Sequence, residues 1–390
     1  MIEIIDKSQC CGCTACQSIC PSRCISMHPD EEGFVYPKVY AQKCVDCGLC
    51  VNRCPILAPC NEIKAKKAFS GIIEDDTIRF SCSSGGLFWA LASHFIQRNG
   101  VVFGAAFDDK WNVIHTEAHT FSQLALFKGS KYVQSSLNNI YPRVREYLQE
   151  GRNVLFSGTP CQIAGLRSFL NKDYQQLLLV DIACHGVPSP GLWQSYLLSL
   201  KKDLADEIIY VNFRDKKKGW KDYYLTIELS EYNHSLKEKK RVISERPINN
   251  VYMGLFRNNY SLRPSCYQCK FKSGKSGADI TLCDFWGIPS SSRFNDDKGA
   301  SSIIVFSEKG EKILSELCNV SLDSIDYNYL VKNNLGLVGS VPKPELREMF
   351  WLRFQALGIR GVKKYARPDM NEVRRLLINS FKNKIKAFIR

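Results

Sequence analysis

Apolar and polar positions follow two rhythms over most of the chain. Short apolar runs at Val101 to Phe107, Val154 to Phe156, Leu177 to Ala183, Ile208 to Phe213, Tyr224 to Leu229 and Ile303 to Phe306 have the length and composition of strands. Between them, Leu87 to Gln97, Leu137 to Gln149, Gln162 to Leu170 and Leu192 to Leu200 repeat apolar residues every three or four positions, which predicts helices. The alternation starts near Ala68 and predicts an α/β body, with room for a mixed strand order. From Arg367 onward, Leu376, Leu377, Ile378, Phe381, Ile385, Phe388 and Ile389 share a broad helical face opposite a basic one. Such a helix suits docking on its own protein, or contact with an acidic partner or a lipid surface.

A length of 390 residues corresponds to two or three domains. Hydrophobic residues at 45% and charged residues at 24% exclude a mainly disordered chain. Glu3 and Asp6 interrupt the short apolar start, and no later apolar run reaches the ~18 residues of a membrane span. The expectation is a soluble, cytoplasmic chain without a transmembrane segment.

Cysteine changes the picture. Eleven of the 18 cysteines fall within the first 60 residues, too tightly spaced for several disulfides, so reduced metal-bound thiolates are expected. Cys10, Cys13, Cys16 and Cys20 precede Pro21, and Cys44, Cys47, Cys50 and Cys54 precede Pro55, giving C-x2-C-x2-C-x3-C-P twice. In such a run three cysteines wrap one iron-sulfur cube while the fourth reaches the partner cube. The assignment is Cys10, Cys13, Cys16 and Cys54 for one 4Fe-4S cluster, and Cys44, Cys47, Cys50 and Cys20 for the other. Zinc is the competing reading, but paired zinc ligands leave the third cysteine of each triplet unexplained. Cys11, Cys24 and Cys60 read as spare thiols. The head, about residues 1 to 60, resembles a bacterial two-cluster ferredoxin; the polar, lysine-rich stretch after Cys60 reads as a linker.

Three loops of the body carry residues that packing alone does not demand. Ser83, Ser84, Gly85 and Gly86 open the helix near Leu87, where free amides could receive a phosphate or a flexible turn could simply cap the helix. Lys128, Ser130, Lys131, Tyr132 and Gln134 surround Gly129, which suits phosphate and ring contact or an ordinary solvated loop. Gly158 and Thr159 lead to Cys161 at the start of a Pro-initiated helix, where a thiolate is favoured as nucleophile, redox thiol or cluster ligand. Cys184 after a strand, together with the pair Cys266 and Cys269, could converge with Cys161 on a third cluster; inert core cysteines are the alternative. His185, beside Cys184, reads as an acid or base or as a satisfied loop histidine.

The phrases SCSSGGLFWALA, FKGSKYVQSSL, VLFSGTPCQIAGL, VDIACHGVPSP, NFRDKKKGW, RPSCYQCKF and ADITLCDFWGI, spread over about residues 67 to 335, resemble the beta-subunit family of coenzyme F420-reducing hydrogenases and dehydrogenases. The resemblance implies FAD and a 4Fe-4S cluster in the body, with Cys161, Cys184, Cys266 and Cys269 as cluster ligands and the three loops as flavin contacts. The family carries a glycine where Cys283 stands, so Cys283 could join or replace a ligand. The expected fold is an α+β ferredoxin-like two-cluster head on a larger α/β flavin-binding body. The expected divisions are 1–66 for the head, 67–150 and 151–335 for the two parts of the body, and 336–390 for a helical basic tail.

The implied function is an iron-sulfur flavoprotein oxidoreductase exchanging hydride with coenzyme F420 or a similar acceptor; the alternative is a non-catalytic electron-transfer and docking module. The formal charge of +14 falls to about +8 once three clusters of about −2 each are counted. The remaining excess suits an acidic small-molecule acceptor or a redox partner protein, such as a ferredoxin or hydrogenase or dehydrogenase subunits. No nucleic-acid-binding signature accompanies it.

Overall fold

In both cysteine loops of the head the backbone turns through left-handed residues at matching positions: Gly12 (φ 71°) and Thr14 (φ 62°), then Asp46 (φ 48°) and Gly48 (φ 73°). A side chain there costs about 1–2 kcal/mol, so each loop keeps one glycine and tolerates one larger residue. The helices that follow, Ala15–Ile19 and Leu49–Asn52, carry the third cysteine of each run. Between the loops, β1 (Ile25–Pro29) pairs antiparallel with β2 (Val35–Val39). The computed structural model describes residues 1–59, 61–202, 205–231 and 239–367. Cys60 and residues 368–390, which include most of the expected basic tail helix, lie outside the described residues.

Residues 61–66 have no regular structure and lead into β3 (Lys67–Ile73), the first strand of the body. The body strands continue with β4 (Val101–Phe107), β5 (Val113–Ala118), β6 (Val154–Gly158) and β7 (Leu177–Ile182). A small antiparallel sheet follows, made of β8 (Glu207–Asp215), β9 (Tyr224–Glu231) and β10 (Lys239–Glu245). Last come β11 (Ile280–Asp284), β12 (Ser301–Val305) and β13 (Val320–Ser324). The main sheet has eight strands in the order β13-β3-β12-β11-β7-β6-β4-β5, and one sheet therefore runs through both parts of the body.

Its four central strands, β11, β7, β6 and β4, are parallel, while β5 on one side and β12, β3 and β13 on the other are antiparallel. The central strands are covered on both faces, which is why Val154, Leu155 and Phe156 form an unbroken apolar run and are wholly buried. The helices Pro160–Leu170 and Pro190–Leu200 each start two residues before the periodicity expected, because proline fits the first helical turn.

The head is docked on this body. Cys13 and Ile56 share one apolar cluster with Tyr141, Phe156, Ile163 and Phe169. At Gly165 a Cβ would stand 2.7 Å from the Tyr141 hydroxyl and 2.8 Å from the Cys13 Cβ, so the missing side chain lets the head approach the helix. In the connection between β1 and β2, Glu32 of the head accepts at 2.7 Å from buried Arg347, which opens the helix Arg347–Val362. The small sheet is held by Trp193, Phe213 and Tyr252, whose ring centroids lie 4.9 to 6.0 Å apart.

Candidate functional site

The cysteines of the head ring two cavities in the pairing that the repeat predicts. Cys10, Cys13, Cys16 and Cys54 line one cavity, and Cys20, Cys44, Cys47 and Cys50 line the other. We call them inner and outer, because Cys47 is exposed and the inner cavity faces the body. Cys24, a spare thiol by its spacing, also lines the outer cavity, with its sulfur 3.4 Å from that of Cys20.

A third cavity lies at the carboxyl ends of the parallel strands, the edge where open α/β sheets tend to place their ligands. Cys161, Cys184, Cys266 and Cys269 line it together. Cys161 comes from the first turn after β6, Cys184 from the loop after β7, and Cys266 from the 3-10 turn Pro264–Gln268, with Cys269 closing that turn. The capping box of Thr159 and Gln162 fixes the helix start, and the Thr159 hydroxyl lies 3.2 Å from the Cys161 sulfur. The Val187 amide donates to Cys266 Sγ at 3.4 Å, and the Cys269 amide to Ser340 Oγ at 2.9 Å.

Burial pushes the Cys16 and Cys184 thiols up to about 12, so a metal that takes them must displace their protons. Among the described residues no three His, Cys, Asp or Glu side chains converge tightly enough for a single metal ion. Four separated sulfurs around each cavity suit a cube, whose irons stand apart, better than one ion. The body cavity is also lined by Arg263, Lys270 and Lys272 and by no carboxylate, an environment that fits an anionic group. Lys272 donates to the carbonyls of Cys184 and Gly336, and Lys270 reaches the Ile56 carbonyl of the head at 3.4 Å.

The three cavities stand in a row. The thiols of Cys16 and Cys50, one from each head cavity, feel each other's charge, and Cys11 and Ile56 line both the inner and the body cavity. The sequence left Cys11 as a spare thiol, and it named none of the three cations. The visible signal for them was Arg263, Lys270 and Lys272 flanking Cys266 and Cys269 in sequence. Cys283 lies apart from the four body cysteines: it is buried on β11, packed with Phe285 and Ala300, its sulfur 3.9 Å from the Ser302 carbonyl. His185 lines the body cavity, bonded at 2.6 Å to Asn259 and packed edge-on against Phe256.

The three candidate loops meet beside this row. The Ser130 amide donates to Ser83 Oγ at 2.6 Å, joining the first two. Gln162 bridges the second and third, donating to Ser135 and accepting from the Thr159 amide, each at 2.9 Å. Next to Gly158, the Ser157 carbonyl bonds His115 Nε2 at 2.9 Å.

Not every residue of these loops is free for a ligand. The Gly85 amide, expected to be open to a phosphate, donates to Ser301 Oγ at 2.9 Å because β12 passes beside it, and Ser84 Oγ is bonded to the Ala300 carbonyl. A Cβ at Gly85 or Gly86 would collide with Gly71 or Ile73, so both glycines serve packing against β3. Gln134 donates to the Cys11 carbonyl and accepts from Arg263, which puts it at the junction of head and body. Lys128 lies over the Trp89 ring at 4.1 Å. Tyr132 stacks on Phe256, with its hydroxyl 3.3 Å from Arg214.

What remains is a set of polar groups whose hydrogen-bonding capacity the protein leaves partly unfilled. Burial pulls the Lys131 amine down to about 7, and it donates only to the carbonyls of Lys128 and Gly129, each at 3.1 Å. Burial likewise holds His115 neutral, down to about 4. With Nε2 donating to Ser157, its Nδ1 is an open acceptor, and Nδ1 is buried and unpaired. Arg214 is held by Asp284 at 2.9 Å, while its Nε is buried and unpaired. Arg214 lies in the phrase NFRDKKKGW, but nothing in the sequence singled out its side chain or that of His115.

Residues 9–58 match the 4Fe-4S dicluster domain, and residues 151–322 match the C terminus of the coenzyme F420 hydrogenase/dehydrogenase beta subunit. A coenzyme F420-dependent sulfite reductase of Methanocaldococcus jannaschii is 24% identical over 318 residues, covering 80% of this chain and 46% of that protein. NADH-quinone oxidoreductase subunit I 2 of Geobacter metallireducens is 34% identical over 55 residues, 13% of this chain and 42% of that protein. The chain thus spans less than half the length of these curated relatives. A chain of the F420-reducing [NiFe] hydrogenase complex from Methanosarcina barkeri aligns in structure at 17% identity and a TM-score of 0.45, over 78% of this chain and 91% of that one. Among the described residues no helix is long and apolar enough to cross a membrane. Residues 151–322 are thus similar to the C terminus of the coenzyme F420 hydrogenase/dehydrogenase beta subunit, with a match to the 4Fe-4S dicluster domain in front of them.

Proposed function

We propose that the chain is an iron-sulfur flavoprotein oxidoreductase of the cytoplasm, which takes single electrons at the head and delivers pairs of them as hydride to an anionic acceptor such as coenzyme F420. The observation that carries this reading is the row of three cysteine-lined cavities, the inner one sharing Cys11 and Ile56 with the body one, that ends beside the partly unfilled polar groups around Lys131. When bound, the clusters supply one-electron transfer and FAD the exchange between one- and two-electron chemistry.

The chain's own residues then have defined tasks. Cys10, Cys13, Cys16 and Cys54 hold the inner cluster, and Cys20, Cys44, Cys47 and Cys50 the outer one. Cys161, Cys184, Cys266 and Cys269 hold a third, with Lys270 and Lys272 offsetting its charge. Lys131 and Arg214 Nε offer donors, and His115 Nδ1 an acceptor, to the phosphate and polar ring groups of FAD, with Ser83, Ser130, Tyr132, Gly158 and Thr159 around them. His185 stands on the wall of the body cavity, and hydride exchange requires no side-chain base. The basic surface favours an acidic acceptor or redox partner subunit.

Anaerobic purification with cofactor analysis tests this. The reading expects about twelve iron and twelve sulfide per chain, being three cubes of four, and one releasable FAD that reduces a small acceptor. Clusters without flavin would instead establish an electron-relay module, and about eight iron would remove the body cluster.

A further inference from the structure

Among the described residues four arginines have deeply buried side chains, and three of them face a carboxylate: Arg79 pairs with Asp296, Arg214 with Asp284 and Arg347 with Glu32. The fourth, Arg263, is 0% exposed and has no carboxylate within ion-pair distance among the described residues. It donates to the carbonyls of Cys10 and Val35, at 2.8 and 2.9 Å, and to Gln134 Oε1 at 3.1 Å. Its guanidinium also lies 4.3 Å from the centre of the Tyr36 ring. A guanidinium stays charged at any pH a protein meets, and burying it without an anion is strongly unfavourable.

The missing anion has an address. One guanidinium nitrogen lies 3.7 Å from Cys10 Sγ, and Arg263 also lines the body cavity, three residues before Cys266. At Gly12, inside the inner cysteine loop, a Cβ would stand 2.8 Å from the same guanidinium.

We infer that Arg263 is the built-in counter-ion of the inner head cluster and raises its reduction potential above that of the outer one. The inference rests on the head clusters of the proposed function, not on the flavin. Reduction adds one negative charge to the cube, so a buried cation bonded to a ligand sulfur favours the reduced form. No lysine or arginine lines either head cavity, but Arg263 reaches a ligand sulfur of the inner one, and among the described residues no lysine or arginine is bonded to a ligand sulfur of the outer one. An electron entering at the exposed outer end therefore settles at the inner site, against the body. Arg263 is a positioning and tuning residue rather than a catalytic one.

The test is an EPR-monitored redox titration of the anaerobically purified full chain, with the inner signal identified by its alteration in Cys54→Ser. Arg263→Gln is expected to lower the inner potential and leave the outer one in place. Arg263→Lys keeps the charge and is expected to fall between Arg263→Gln and the parent protein. An unmoved inner potential in Arg263→Gln, or an equal drop in both variants, overturns the inference. Should Arg263→Gln fail to assemble, ¹⁵N-arginine labelling decides the matter, in protein where Arg53, the neighbour of Cys54, is replaced as Arg53→Lys so that it carries no label. A ¹⁵N coupling on the reduced inner signal is expected, and its absence overturns the counter-ion. Loss of the body cluster alone reads differently, as about eight iron with both head signals intact, and an empty head gives neither signal.

Discussion

Cys11 of the head and Cys161 of the body line one cavity, and Cys11 lines the inner head cavity with Cys13 as well, so one side chain stands between a proposed ligand of the inner cluster and one of the body cluster. It is a go-between rather than a ligand in this arrangement. Cys11→Ala should retain about twelve iron per chain, whereas Cys161→Ala should fall to about eight. Iron and sulfide analysis separates the two, and a loss of iron in Cys11→Ala would make Cys11 a ligand.

Lys131 is the group most in need of an anion. Lys131→Met should weaken FAD retention by roughly 10- to 100-fold, the size of a charge-assisted hydrogen bond of about 1.5–3 kcal/mol, as read by fluorescence of released flavin. In flavin-free protein the same substitution should raise thermal stability. The sign of the pH effect follows from the amine. Folded, it loses its proton at about 7, while the unfolded chain keeps it up to 10.5. The unfolded state thus binds more protons between these values, and raising the pH stabilises the folded parent protein. The advantage of Lys131→Met should shrink as pH rises from about 7, in urea titrations at several pH values.

Gly165→Val tests how the head is docked. The added side chain would meet both Tyr141 and Cys13, and overpacking of this kind costs about 1–3 kcal/mol, more than the few tenths that valine gains over glycine in a helix. Trypsin should cut the stretch 61–66 faster in this variant while the body fragment stays resistant. An unchanged cleavage rate would mean that the contact does not hold the two units together.

Cys283→Gly should leave the iron count unchanged, because the sulfur is packed among aromatic and alanine side chains of the sheet and lines none of the three cysteine cavities. A drop of about four iron would bring it into the ligand set.

The parts legible in the sequence were those fixed by short-range spacing. The cysteine pairing of the head follows from a local repeat, and the runs Val101 to Phe107 and Leu87 to Gln97 match their elements because burial imposes the pattern directly. Strands β5 and β13 escaped notice. Val113–Ala118 includes His115, Thr116 and Glu117, and Val320–Ser324 is half polar, so neither shows a clear apolar run. The Ser83 to Gly86 loop left a phosphate cradle and a helix-capping turn both open, because nothing local reveals that Ser301, more than 200 residues later, takes the Gly85 amide. Arg263 was hidden for a related reason: its significance lies in what is missing around it, and a sequence does not display the absence of a neighbour.

The two cysteine loops of the head are near copies, and a near-copy could dock by either side. The second loop carries Asp46 where the first carries Gly12, and an aspartate-sized group at position 12 would run into the Arg263 guanidinium. One absent carbon atom thus tells the duplicated module which of its halves is to face inward and which is left to greet a visitor.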